Sequence, residues 1–302
     1  MDEKLLADLC ECYLLLTCWH PYGFISTICI LCLLKVASNK EESDEVKHEV
    51  EMALLALSNS GYYEVPKELH LNEIKEIILH HQEHQNLTRL AYQRAWEFMI
   101  IRLYWDNSLK EVIVNELHFG RESTKELEEL MKCVDWNKNF KEMSKEEANE
   151  VLLITGWMKT IKLYFDLCGL RNEEFVGLIG SIVQVLRASR CNNGEIYVEC
   201  IHSISKAAIN RAVKVDDLLK GGAINAILEE IHRSTLDDEI AIECLRFFID
   251  ISRRLKDKEK DEKEDAKRKK TKRKVFEWME EEGYEDCVEN TVRFATLDFV
   301  KV

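Results

Sequence analysis

Residues Asn210 to Arg254 constrain the fold more than any other stretch of the chain. They divide into three helical segments. NRAVKVDDLLK is a polar-led amphipathic segment that ends at Gly221-Gly222. AINAILEEIHR is short and apolar, and is cut by Ser234-Thr235. DDEIAIECLRFFIDISRR places Ile240, Cys244, Phe247 and Ile251 at spacings of 0, 4, 7 and 11, which is one face of a helix. A unit of this size cannot bury its apolar faces alone, so it requires stacked neighbours.

The chain contains such neighbours. SIVQVLRAS (Ser181–Ser189) aligns with AILEEIHRS (Ala226–Ser234) at a shift of 45, and IYVEC (Ile196–Cys200) with IAIEC (Ile240–Cys244) at a shift of 44. The difference falls in the intervening turn, where insertions are tolerated. Nearer the start, Val46, Val50, Ala53 and Leu57 repeat the 0, 4, 7, 11 spacing, and Ala53-Leu54 corresponds to Ala95-Trp96 at a shift of 42. Further along, KVFEWMEEEGYEDCVENTVRF aligns with DDLLKGGAINAILEEIHR when Gly283 is set on Gly222. That longer shift is explained by an insertion, Lys256–Lys274, composed almost wholly of charged residues.

Two prolines in 302 residues are too few for a turn-rich β architecture, and Leu, Glu, Lys and Ala favour helix. The expected fold class is all-α. Helices are expected at Glu45–Asn59, Leu71–His84, Thr88–Tyr104, Leu109–Phe119, Lys125–Val134, Lys145–Leu167 and Glu173–Ser189. Ser123 with Glu126, and Ser144 with Glu147, have capping-box spacing.

The order of short helix, Gly-Ala, helix, loop and long helix in Asn210–Arg254 resembles an armadillo repeat, with HEAT-like repeats as a second name. The resemblance implies an armadillo/HEAT-like right-handed α-solenoid. Residues 1–41 would form an apolar amino-terminal hairpin and 42–255 the stacked repeats. The charged insertion would be 256–274, and 275–302 the carboxy-terminal capping repeat. ALLALSNSG (Ala53–Gly61) is similar to the end of an armadillo third helix, where tryptophan and asparagine line a peptide groove. Carried over residue by residue, Asn59 and Trp96 become the groove candidates. Each stands in its repeat without the other residue of that pair.

The net charge of −14 disfavours direct contact with nucleic acid and suits a protein or peptide partner, including a basic one. Eleven cysteines, an odd count, sit largely in apolar helical patterns, which together with the acidic MDEKLL start favours a reducing compartment. Tyr13–Leu34 lacks Asp, Glu, Lys and Arg and has the length of a membrane span, but His20-Pro21-Tyr22-Gly23 marks a turn in its middle. A helical hairpin is the expected reading and a membrane segment the alternative. Cys10, Cys12, Cys18, His20, Cys29 and Cys32 crowd this stretch, and Cys29-x-x-Cys32 has zinc-ligand spacing, although the surrounding Ile and Leu equally suit core cysteines. His80, His81 and His84 are expected to be solvated. Gly177 and Gly180 are expected to allow close helix packing.

No phosphate-binding loop, His-Glu-x-x-His helix or nucleophile elbow occurs, so no catalytic residue or cofactor is assigned. The run Lys267, Arg268, Lys269, Lys270, Lys272, Arg273 and Lys274 is a candidate nuclear-localisation signal. The expected function is that of a noncatalytic protein–protein interaction scaffold, cytoplasmic or nuclear, binding a partner on its concave helical surface. A membrane-associated regulatory module and an accessory region of a signalling enzyme are the alternatives.

Overall fold

A computed structural model describes residues 32–39, 71–104, 106–138, 140–168, 172–189, 194–231 and 238–260, with isolated positions between 43 and 54. Every regular element among the described residues is helical. The chain divides into two compact units, with the boundary between Phe119 and Gly120.

In the first unit, helix α1 (Leu71–His84) packs against α2 (Arg89–Ile101). Gln85 takes a left-handed backbone (φ 49°) and its N–H donates to the His81 carbonyl at 2.7 Å, ending α1. Thr88 caps α2 by accepting from the Ala91 N–H at 3.3 Å. Ile74 and Ile78 of α1 and Ala91, Tyr92, Ala95 and Trp96 of α2 are buried. The pair Ala53-Leu54 is buried as well, like its repeat counterpart Ala95-Trp96. The helix expected over Leu109–Phe119 is shorter. One α-turn, Leu109–Glu111, widens into a π-turn, Val112–Glu116, and His118 in the left-handed region (φ 53°) follows. Gln82 donates to the Leu117 carbonyl at 2.8 Å and Lys75 pairs with Glu116, so α1 fixes this turn.

The second unit contains six further long or medium helices. They are α3 (Phe119–Lys132, from Gly120 onward in this unit), α4 (Lys145–Leu167), α5 (Glu174–Ser189), α6 (Gly194–Ile209), α8 (Ala223–Ile231) and α9 (Asp238–Lys260), with the short α7 (Val215–Lys220) before α8. Helix α3 starts six residues ahead of the expected Lys125. Ser123 therefore lies inside a helix, fully buried, and forms no capping box. The box at α4 is present. The Ser144 hydroxyl accepts from the Glu147 N–H at 3.2 Å, and the Glu147 carboxylate accepts from the Ser144 N–H at 2.8 Å.

Helix α6 is the centre of this unit. It packs on α4, α5 and α9, while α8 packs on α5 and α9. Tyr164 and Phe165 of α4 meet Phe175 of α5 with ring centroids 5.4 and 5.5 Å apart, and all three rings are buried. Ile240, Cys244, Phe247 and Ile251, aligned by periodicity, form the buried face of α9. The expected helix over NRAVKVDDLLK is present only from Val215. Arg211 is left-handed (φ 60°), and its N–H bonds to Ala208 O at 3.0 Å, closing α6 before α7 begins.

Glycine has distinct roles here. Gly222 has φ +75°, a conformation that costs other residues strain, and it joins α7 to α8. At Gly221 and Gly120 a Cβ would lie 2.9 Å from Ile179 Cγ2 and from Glu174 Cβ respectively, so close approach requires glycine. Gly180, by contrast, has nothing within 4 Å of such a Cβ, and Gly177 meets Thr124 only at an ordinary 3.8 Å. Neither of the two glycines expected to allow close packing performs that role.

Phe247→Ala should destabilise the protein by roughly 3–5 kcal/mol in a denaturant titration, since it removes a fully buried ring. Gly222→Ala should cost about 1–2 kcal/mol through the backbone alone, because Val183 Cγ1 leaves room for the methyl at 3.9 Å. A change below about 0.5 kcal/mol at either position would contradict these placements.

Candidate interaction surface

Helices α4, α6 and α9 are neighbours in space, with α6 packed against the other two, and α5 and the α7–α8 pair separate them along the chain. Their joining bonds repeat with the sequence period. The Ser203 hydroxyl donates to Glu199 O at 2.8 Å and lies 3.4 Å from Met158 O, 45 residues away. Asn210 Nδ2 donates to Phe165 O at 2.6 Å and to Asp166 O at 3.3 Å, separations of 45 and 44. Arg254 donates to Ala208 O and Val213 O, both at 2.7 Å, separations of 46 and 41. Asn210 and Arg254 therefore do the same work one repeat apart. Each reaches the end of the preceding long helix, Asn210 at Phe165 and Asp166 of α4 and Arg254 at Ala208 of α6, where the last carbonyls have no intrahelical donor. Arg254 also ties down Val213 in the turn that follows α6.

Along the seam between α4 and α6 run three ion pairs. Lys159 Nζ lies 2.6 Å from Glu195 Oε1, Lys162 Nζ 2.6 Å from Glu199 Oε2, and Lys206 Nζ 2.7 Å from Asp166 Oδ1. The first is the most exposed, with side chains 52% and 59% accessible, and water screens it accordingly. The outward sides of the three helices also carry Leu152, His202, Ile209, Ile242, Arg246 and Arg253. Leu152 and Ile242 are 52% and 50% accessible, so both offer apolar surface on this side. This face is mixed in charge. Its acidic groups at the α4–α6 seam are engaged with lysines, so the basic partner suggested by the net charge finds no free acidic row there.

Behind this face the polar groups are structural. Tyr197 Oη donates to Glu230 Oε2 at 2.6 Å, joining α6 to the fully buried carboxylate of α8. Arg187 pairs with Glu229 at 3.0 Å, joining α5 to α8. Burial pushes the thiols of Cys200 and Cys244 up, the latter to about 12 with Glu230 and Glu243 adding to the effect. Both are therefore protonated, inert core groups. Burial also raises the Asp250 carboxyl, opposed by the Arg254 guanidinium 3.7 Å away.

The residues singled out in the sequence are dispersed. Trp96 is fully buried, its ring 5.1 Å from Phe119 and 6.2 Å from Tyr92. Here it is a core side chain with no surface to offer a peptide, a correction to its groove assignment. Asn59, the run Lys267–Lys274, and Cys10, Cys12, Cys18, His20 and Cys29 lie outside the described residues, while Cys32 is exposed. His80 and His84 are exposed with ring centroids 4.5 Å apart. His81 is not simply solvated: its Nδ1 accepts from the Leu87 N–H at 2.9 Å and its ring lies against Tyr92, centroids 4.1 Å apart and tilted by 39°. Among the described residues no group of three or more His, Cys, Asp or Glu is placed to hold a metal. Nor is any described helix long and apolar enough to cross a membrane; most of Tyr13–Leu34 lies outside this set. The paired donors Asn210 and Arg254 escaped sequence reading, although their spacing of 44 was a usable signal.

Comparison with known proteins gives no family model, no curated protein and no solved structure that matches this chain.

Two measurements follow from this geometry. Arg254→Ala should cost about 1–3 kcal/mol in denaturant, because it strips two carbonyls of a charged donor, and Arg254→Lys should recover only part. At α4, the Ser144 N–H first, then Lys138 Nζ, hold the Glu147 carboxyl down at about 2 against its ordinary 4.5. A depressed carboxyl pKa stabilises above 4.5, and the contribution is lost as pH falls toward and through about 2. The stability difference between the parent and Glu147→Gln should shrink over that window. A difference independent of pH would contradict this.

Proposed function

We propose that the chain is a noncatalytic interaction scaffold, an armadillo/HEAT-like right-handed α-solenoid that holds a partner protein or peptide on the outward face of its long helices. The supporting observation is the arrangement of α4, α6 and α9. They are joined at a 41–46-residue period by Ser203, Asn210 and Arg254, and carry exposed Leu152, Ile209 and Ile242 among charged neighbours. Rigid helices hold such anchors at fixed spacing, so a partner loses little affinity to ordering of the receptor. Apolar anchors supply the contact energy. The paired Lys and Glu side chains at the rim select orientation and partner more than they add affinity.

Affinity purification of the full chain with proximity cross-linking tests this reading. Leu152→Asp with Ile209→Asp places carboxylates on two exposed positions, so the melting temperature should stay within a few degrees of the parent. Partners cross-linked to α4 and α6 in the parent should fall at least about tenfold in the variant, the loss of 1.4 kcal/mol of binding or more. Identical recovery from both proteins, or no cross-links on these helices, would reject the outward face as the binding surface.

A further inference from the structure

Helix α6 has a neighbour on each side. The α4 side takes Glu195, Glu199, Ser203, Lys206 and Asn210, the residues that bond to α4. On another face, Ile201, Ile204, Ser205 and Ala208 are at most 1% accessible. α9 packs on this helix, and its Arg254 reaches the Ala208 carbonyl. The shift of 44 that superposes Ile196 on Ile240 carries these four positions onto Leu245, Phe248, Ile249 and Ser252 of α9. There the same stripe is open. Leu245 and Phe248 are half-buried, Ile249 is 39% accessible and Ser252 is exposed. What α9 does for α6, no described helix does for α9.

We propose that this face of α9 is the docking surface for the chain's own segment 275–302. Three observations favour that occupant. VFEWMEEEGYEDCVENTVRFATLDFVKV supplies Phe276, Trp278, Tyr284, Phe294 and Phe299, large apolar groups of the kind an open aliphatic stripe buries. It carries eight acidic residues against Arg293 and Lys301, while the stripe is flanked by two exposed arginines of α9, Arg253 and Arg246, the latter also 3.2 Å from Glu243. The link is long enough. Fifteen residues from Lys260 to Val275 reach up to about 50 Å, whereas α9 needs about 23 Å from Leu245 to Lys260. The inference rests on the repeat relation between α6 and α9. It concerns the side of α9 that adjoins the proposed partner surface, with Arg246 and Arg253 on the shared edge, and is read within the chain alone.

Hydrogen exchange on the full chain, with sedimentation of the same samples, tests it. Backbone amides in 275–302 should be protected in the parent, and Leu245→Asp with Ile249→Asp should reduce that protection by at least about tenfold. Exchange in α4 and α6 should be unchanged. If that double variant also accelerates α4 and α6, the milder pair Arg246→Glu with Arg253→Glu, confined to exposed positions, decides by the same readout. Free exchange of 275–302 in the parent, or protection that neither pair alters, overturns the proposal. So does a dimeric parent that either pair converts to monomer without change in 275–302, because the face then belongs to a second copy.

Discussion

The second unit depends on the burial of α6 on more than one face. A helix that meets a single neighbour needs only a narrow apolar stripe, but α6 buries a wide arc: Ile196, Cys200, Ile201, Ile204, Ala207 and Ala208 are inaccessible, with the buried Ser203 and Ser205 at its two edges. That surface cannot be covered by one partner. It requires α4, α5 and α9 together, and once they are in place the positions of α7 and α8 follow, since these pack on α5 and, for α8, on α9. Small residues let this happen. Ser205 and Ala208 keep one face of α6 shallow, and Gly221 lets the α7–α8 corner approach Ile179.

Packing of this kind leaves helix ends near apolar surroundings, where unsatisfied carbonyls are costly. The chain resolves that by lending a donor from the next helix. Asn210, just past α6, serves the end of α4, and Arg254 of α9 serves the end of α6. Stability is then shared between neighbouring helices of this unit rather than held within any one of them. The same dependence makes the open stripe of α9 a feature that calls for cover.

The outward face differs in kind. Its ion pairs span repeats, yet such exposed pairs stabilise little. In the proposed function their larger effect is on which charges a partner meets. Because Glu195, Glu199 and Asp166 already hold lysines, overall acidity is a poor guide to the chemistry of this face, and the exposed Leu152, Ile209 and Ile242 become its more informative residues.

Much of the helical architecture was legible in the sequence, because apolar spacing and helix caps are local. The 0, 4, 7, 11 pattern of Ile240, Cys244, Phe247 and Ile251 identified the buried face of α9, and Ser144 with Glu147 marked the start of α4. Local signals misled where tertiary packing overrode them. Ser123 and Glu126 have cap spacing, but α3 begins earlier, and the widened turn at Val112–Glu116 interrupts an otherwise helical pattern. For the candidate site the sequence marked Trp96 by its type. Only the packing of Tyr92 and Phe119 around it decided that its ring is core. Periodicity determines which residues want burial. Which neighbour buries them, and which apolar face is left for a partner, depends on contacts more than forty residues apart, and only the tertiary structure decides those.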